Sequence, residues 1–460
     1  MLVFNLSAKA LSSAVALHFS HITTRKSLSL FLCLSLSAVP VHASSLLKQP
    51  VDAGLAESGF SQAHNLINAD SLLEVIADAL SNHPQLAIKR SELEAAGYDL
   101  DAAEWGRYPT LGLDSKGLDD GYQLSARVEQ PIWSGGRISG QINVSSAAQE
   151  LAMATLMETR MNVVLETSNS FFEILRLREQ LRFALLNEQE HVQLLDMIER
   201  RVASKISPGS DAVLANSRRQ RAMTTRIQTE KQLREAQVAL EQALGKPVLT
   251  HNLQEPQRID LARYGFETLV NNAQDYSPAH KKLLASVEKA AADVQLARAR
   301  IRPNLALGYE HNLADTSGLR RTDDGQVYLS MRVQTDAGLS NKSAVSAASA
   351  RREAALSAIS DQERKLRQQI ESLWAEVSAL TNQVTPVQSI VVGSEQMAES
   401  YLRQFQVGKK SWLDVLNAQS EKSQAYFLKT DTLMPLMRAK FHLLVLAGEF
   451  KPIAQGANDL

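Results

Sequence analysis

The residues that could do chemistry in this sequence are few and stand apart. There is no His-Glu-x-x-His run to hold zinc, no Gly-x-Ser-x-Gly turn to present a nucleophile, and no cysteine pair. The ten histidines are scattered, so His83, His280, His311 and His442 read as surface or packing residues. Gly245-Lys246 fails as a phosphate loop, because no glycine stands five residues earlier and Pro247 replaces the hydroxyl. Asp414 and Asn417 are three apart and share a helix face, and Asp211 and Asp414 each follow a turn, where aspartate caps helices. These spacings predict no enzyme, no cofactor and no metal site.

The elements that carry these residues are organised around Tyr122–Gly140. Tyr122, Leu124, Ala126 and Val128 alternate with Gln123, Ser125, Arg127 and Glu129, the pattern of a strand with one apolar and one polar face. After Ser134-Gly135-Gly136-Arg137, the stretch Gln141–Ser207 runs 67 residues without Gly or Pro, so a strand feeds a very long helix. Its apolar positions, among them Leu151, Met161, Val164, Phe171, Leu175, Leu185 and Val202, fall at steps of three and four, as in helices packed side by side.

The design then returns. LSARV at Leu124–Val128 matches LSMRV at Leu329–Val333, and Pro84, Asp99, Pro109, Leu111 and Leu113 match Pro278, Asp293, Pro303, Leu305 and Leu307 at a constant shift. The chain is a tandem duplication. The first repeat spans 71–248: a helix capped by Ser71 and broken at Asn82-His83-Pro84, a second to about Trp105, strands Tyr108–Ser115 and Tyr122–Glu129, the long helix, a break at Ser207–Asp211, and a return helix Ala212–Leu244. An irregular connector over 249–276 leads to the second repeat, 277–448. Its helix is Pro278–Arg300, its strands Asn304–His311 and Gln326–Thr335, its long helix Asn341–Gln406 with a kink or join at Pro386 and Gly393, and its last helix Trp412–Ala447. Residues 449–460 form a tail.

Residues 1–43 read as a secretory signal peptide, with Arg25-Lys26 ahead of the apolar run Leu28–Val39 and a small-residue site at Val41-His42-Ala43; 44–70 is a loose lead. The single cysteine, Cys33, lies inside that segment and lacks the small neighbour of a lipoprotein site. The net charge of −1 gives nucleic acid no electrostatic hold. Beyond the leader no run reaches the roughly 18 apolar residues of a spanning helix, so a membrane crossing must be a closed barrel. Two hairpins make four strands, too few to close a barrel, so the barrel requires an oligomer.

With QPIWSGGR at Gln130–Arg137, YPTLGL at Tyr108–Leu113 and GKKSWLDVLNAQ at Gly408–Gln419, this plan resembles the TolC family of outer membrane efflux proteins. The resemblance covers nearly the whole mature chain. It implies a mainly α fold with a small β part: a homotrimer forming a twelve-stranded outer-membrane β-barrel joined to a twelve-helix periplasmic α-barrel. It also implies a periplasmic adaptor and an inner-membrane transporter, ABC or proton-driven, as partners. Leu111, Leu113, Tyr122, Leu124, Ala126, Val128, Leu305, Leu307, Val327, Leu329, Met331 and Val333 would face lipid, and Gln123, Arg127, Glu129, Arg332 and Gln334 a wet lumen. The alternation alone fits a half-buried soluble hairpin equally well; the signal peptide and long helices favour the barrel.

In the family, Gly-x-x-Ser-x-x-Asp-Val-Leu marks the periplasmic tip that constricts the tunnel and docks the adaptor. Here it is Gly408, Ser411, Asp414, Val415 and Leu416, with Ser207, Pro208, Gly209 and Ser210 at the less typical first tip. Threefold symmetry would make Asp414 a ring of carboxylates favouring cations. Many relatives carry a second acid where this chain has Asn417. Lys410 stands where an arginine can latch the tip, with Asp211 as its candidate partner, although lysine forms a poorer fork. The missing lipid-anchor cysteine points to export in type I protein secretion, with multidrug or small-molecule efflux as the alternative and a periplasmic coiled-coil scaffold as the reading from another class.

Overall fold

The computed structural model describes residues 67–68, 70–118, 121–248, 253–256, 258–259, 261, 263–315, 325–333 and 340–450. The expected signal peptide, most of the N-terminal lead, Gln334 and the tail from 451 onward lie outside these residues. In chain order the elements are β1 (Ile67–Asn68), α1 (Asp70–Asn82), α2 (Pro84–Trp105), β2 (Thr110–Leu118), β3 (Gly121–Trp133), α3 (Arg137–Ala203) and α4 (Gly209–Leu244). There follow β4 (Arg258–Ile259), α5 (Phe266–Tyr276), α6 (Pro278–Ala299), β5 (Asn304–Asp315), β6 (Gln326–Arg332), α7 (Ser340–Gln406) and α8 (Trp412–Leu446).

The duplication is visible in the caps. His83 closes the start of α2, its Nδ1 accepting the N–H of Gln85 at 3.2 Å, and Ser277 closes α6 by accepting the N–H of His280 at 3.2 Å. In both repeats a proline follows the cap, where the helix needs no donor. Ser71 does not cap α1 as expected, because the helix already includes Asp70; its hydroxyl oxygen accepts the N–H of Gln254 at 3.2 Å and ties the connector down. That connector is more ordered than its irregular sequence predicts, since β4 pairs with β1 and α5 is a helix.

Helices α3 and α7 are each 67 residues long, about 100 Å at 1.5 Å per residue. α3 begins at Arg137 and so takes in Gly140, where an added Cβ would lie 3.3 Å from Leu296 Cα of α6; glycine allows the two helices to approach. α7 runs unbroken through Pro386 and Gly393, so the expected join is absent. Pro386 is on the exposed side of the helix, where a carbonyl without its helical partner is open to solvent. α3 pairs with α4, and α7 with α8, as two helical hairpins. Phe171 and Phe172 of α3 meet Phe441 of α8 and Phe450, with Phe171–Phe172 edge-on at 5.6 Å and Phe441–Phe450 at 5.4 Å, in a core that also takes in α1, α5 and the end of α4.

The strands form one antiparallel sheet in the order β2-β3-β5-β6, leaving β2 and β6 as edges. Leu111 pairs with Val128, Val128 with Tyr309, and Tyr309 with Val327, so one apolar row crosses all four strands. Leu111, Leu113, Val327 and Leu329 are 69–75% exposed on this face, whereas Leu124 and Leu305 are only half-exposed. On the opposite face Arg127 pairs with Glu310 at 3.1 Å, and Gln123 Nε2 donates to Asn312 Oδ1 at 3.3 Å. Pro131 is tolerated inside β3 because the register shifts there, between Pro131 and Trp133.

Candidate functional site at the helix-hairpin tips

Both long helices end in the same backbone device. At the end of α7, Gly408 (φ 76) donates to Phe405 O at 3.0 Å and Lys409 to Gln404 O at 2.9 Å. At the end of α3, Lys205 (φ 55) donates to Val202 O at 2.9 Å and Ile206 to Arg201 O at 2.9 Å. Each is a Schellman turn with its pivot in the left-handed region, so Lys205 stands where the second repeat has glycine. Counting onward from each pivot, Pro208 corresponds to Ser411 and Asp211 to Asp414. The sequence hid this match, because both the pivot and the cap residue differ between the repeats.

Asp414 is the third residue of α8 and completes a capping box: Ser411 Oγ accepts the Asp414 N–H at 3.1 Å, and the Asp414 carboxylate accepts the N–H of Ser411 at 3.1 Å and its hydroxyl at 2.8 Å. These bonds, with Lys410 nearby, hold the carboxyl below the usual aspartate range and keep it ionised. Asp211 is likewise the third residue of its helix, but the cap there is Pro208, which has no side-chain acceptor. Neither aspartate is therefore the N-cap itself.

Within the chain Lys410 does not reach Asp211. Its Nζ lies over the Tyr401 ring at 4.2 Å, and the bond across the tips is Trp412 Nε1 to Asp211 O at 3.1 Å. Asn417 accepts from Arg218 Nη2 at 3.2 Å, joining α4 to α8. Pro208, Gly209, Ser210, Gly408 and Ser411 are exposed and Ser207 is half-buried. Val415 and Leu416, expected among the docking residues, are buried against Leu194, Ile198, Ala215 and Phe405; they hold the tip together from inside. The exposed apolar side chains of the tips are Ile206, Val213, Val407 and Leu413. Arg201 stacks over Phe405 at 4.8 Å, and Phe405 lies 5.0 Å from Trp412. The repeat comparison could have found Lys205; Trp412 stood inside the motif Gly408–Gln419 without a role assigned to it, and Arg201 carried no signal beyond residue type.

The site has donors and fixed charges but no reacting group. Among the described residues there is no cluster of metal-ligating side chains, and no helix is long and apolar enough to cross a membrane.

Comparisons with known proteins agree with this geometry. The sequence pattern of the outer membrane efflux protein family matches residues 75–246 and 269–426, one stretch in each repeat. The chain is 30% identical over 213 residues to the pyoverdine export outer membrane protein OpmQ of Pseudomonas aeruginosa, covering 44% of this chain and 41% of that one. It is 25% identical over 378 residues to the cobalt-zinc-cadmium resistance protein CzcC of Cupriavidus metallidurans, covering 72% and 81%. Its fold is similar to the outer membrane protein VceC from Vibrio cholerae, with TM-score 0.71 and 17% identity over 85% of this chain and 98% of that one. The Campylobacter jejuni CmeC outer membrane channel gives TM-score 0.74 and 13% identity over 86% and 91%. With the family pattern matched in both repeats, the chain belongs to the outer membrane efflux proteins, and it is an efflux channel of the outer membrane, not an enzyme.

Proposed function

We propose that three copies of this chain assemble into a twelve-stranded barrel continued by a twelve-helix periplasmic tunnel, through which small solutes leave the cell. The observation that carries this reading is the four-stranded sheet: it has two open edges and one apolar, exposed face, and only closure with other copies satisfies both in a bilayer. Exposed apolar residues along the helical hairpins, such as Leu185, Val192, Ile227 and Ile390, supply side contacts for the same assembly. The tunnel has no energy source of its own, so a periplasmic adaptor seated on the tips and an inner-membrane transporter, ABC or proton-driven, would supply it.

The names of OpmQ and CzcC, pyoverdine export and cobalt-zinc-cadmium resistance, support small cargo for this chain too. Type I protein secretion, the first expectation, rests on the missing lipid-anchor cysteine and on overall likeness within the family. A deletion strain tests the choice: sensitivity to small toxic solutes with normal protein secretion supports efflux, and lost secretion of surface proteins with unchanged sensitivity reverses it. Planar-bilayer conductance of the purified trimer tests the channel. Small cation-selective currents that lose selectivity in Asp414→Ala place the narrowest point at the tips, and a folded protein confined to the soluble periplasm sinks the channel reading.

A further inference from the structure

Where the sheet meets the long helices, a cavity of about 320 Å³ is lined by Arg137, Arg300, Arg302 and Arg332 together with Ser134 and Asn341. We propose that it is an oxyanion-binding station, taking solutes that carry phosphate or carboxylate groups.

Arg137, Arg300, Arg302 and Arg332 all line this one space, and no carboxylate among the described residues does. The contrast with Arg127 is direct: that arginine is neutralised by Glu310 at 3.1 Å, whereas none of the four cavity arginines is paired with a carboxylate among the described residues. Arg302 Nη1 donates to Gly135 O at 3.2 Å, which orients its guanidinium at the cavity wall. The volume is at the lower end of small-ligand pockets, roughly 300–1,000 Å³. The N-terminus of α3 begins at Arg137 and that of α7 one residue before Asn341, so two positive helix ends add to the field. Planar forks of this kind suit phosphate and carboxylate bidentately.

Register decides which side of the sheet the station serves. Arg332 pairs with Asn304, which also lines the cavity, while the next pair, Met331 with Leu305, belongs to the apolar face. Successive residues alternate, so Arg332 and Asn304 share the face of Glu310. In the channel reading, on which only this placement rests, that is the inner face. A solute in the conduit reaches it more readily than a lipid headgroup does.

The test uses the full chain purified in detergent. Its melting temperature is followed against inorganic phosphate at constant ionic strength, with chloride as control. The wild type is expected to be stabilised by phosphate and not by chloride, with half-saturation moving about tenfold higher in Arg300→Gln and in Arg332→Gln, about 1.4 kcal/mol each. Lys231→Gln, on an exposed stretch of α4, is expected to bind as wild type. Arg300→Lys and Arg332→Lys keep the charge but lose the fork and are expected to fall between. Phosphate acting no better than chloride, or binding equally to a folded Arg300→Gln/Arg332→Gln double variant, overturns the proposal. Protection by phosphatidylglycerol in mixed micelles without any by inorganic phosphate makes the cavity a lipid site and overturns it as well. Phosphate binding by a chain that conducts no current sustains the station and removes only the channel reading.

Discussion

The indole N–H of Trp412 donates to the backbone carbonyl of Asp211 at 3.1 Å, so the first residue of α8 is tied to the first turn of α4. Trp412 is 4% exposed and packed against Phe405, which makes the bond a closed connection between the two tips. Trp412→Phe keeps most of the packing and removes the donor, at a cost of about 1 kcal/mol. Hydrogen exchange is expected to quicken in the two tips while protection around Phe171 and Phe441 stays as in wild type. A uniform loss of protection would mean the bond is not local to the tips.

Lys205 holds a left-handed backbone that costs a residue with a Cβ about 1–2 kcal/mol. Its counterpart, Gly408, adopts φ 76 without that penalty. Lys205→Gly is therefore expected to stabilise the first tip by about 1 kcal/mol, read as slower exchange at Val202–Ile206. Gly408→Ala is expected to do the opposite at the second tip. Equal and opposite signs in the two variants test the correspondence between the tips; no gain from Lys205→Gly would break it.

His442 lies between α8 and α3, with Nε2 3.1 Å from Ser168 Oγ. Burial, aided by Arg438, pushes its pKa down to about 4, against 6.5 when free. The folded chain then binds fewer protons than the unfolded one between these values, so stability is full above about pH 6.5 and falls as the pH drops toward 4. Burial shifts His191 in the same direction. Melting temperatures measured from pH 7.5 to 4.5 are expected to decline in wild type, less steeply in His442→Gln, and least in the His191→Gln/His442→Gln pair. A double variant as acid-sensitive as wild type would assign the decline to carboxylates.

The parts of this fold legible in sequence are those set by short-range rules. Alternation over Tyr122–Glu129 marks a strand, the glycine-free run marks α3, and at Asn82-His83-Pro84 one helix ends and the next begins with His83 as its cap. β6 ends at Arg332, short of the expected span, but β3 runs longer than its apolar pattern and reaches Trp133, because pairing with β5 continues through a bulge that sequence does not announce. The tips show the limit more sharply. A lysine in a glycine's conformation and a proline in a serine's capping position disguise the repeat, and the burial of Val415 and Leu416 depends on α3 and α4 arriving from far along the chain. The cavity arginines come from three places in the chain, the start of α3, the link after α6 that carries both Arg300 and Arg302, and the end of β6, which sequence does not bring together.

Leu329 provides the test of which face of the sheet meets lipid. It is 69% exposed and pairs with Leu307 on β5, inside the apolar row expected to lie against the bilayer. An arginine on the lipid face of a barrel costs about 2–4 kcal/mol at the midplane and less toward the interfaces. Gln326, on the same strand, pairs with Glu310 on the other face, where an added arginine finds a carboxylate and water. Leu329→Arg is thus expected to reduce the heat-modifiable oligomer in outer-membrane fractions, while Gln326→Arg assembles as wild type. Should the two variants exchange these outcomes, the sheet faces the opposite way. Should both insert normally, the exposed row does not contact lipid, and the open edges β2 and β6 must be covered by something other than a membrane barrel.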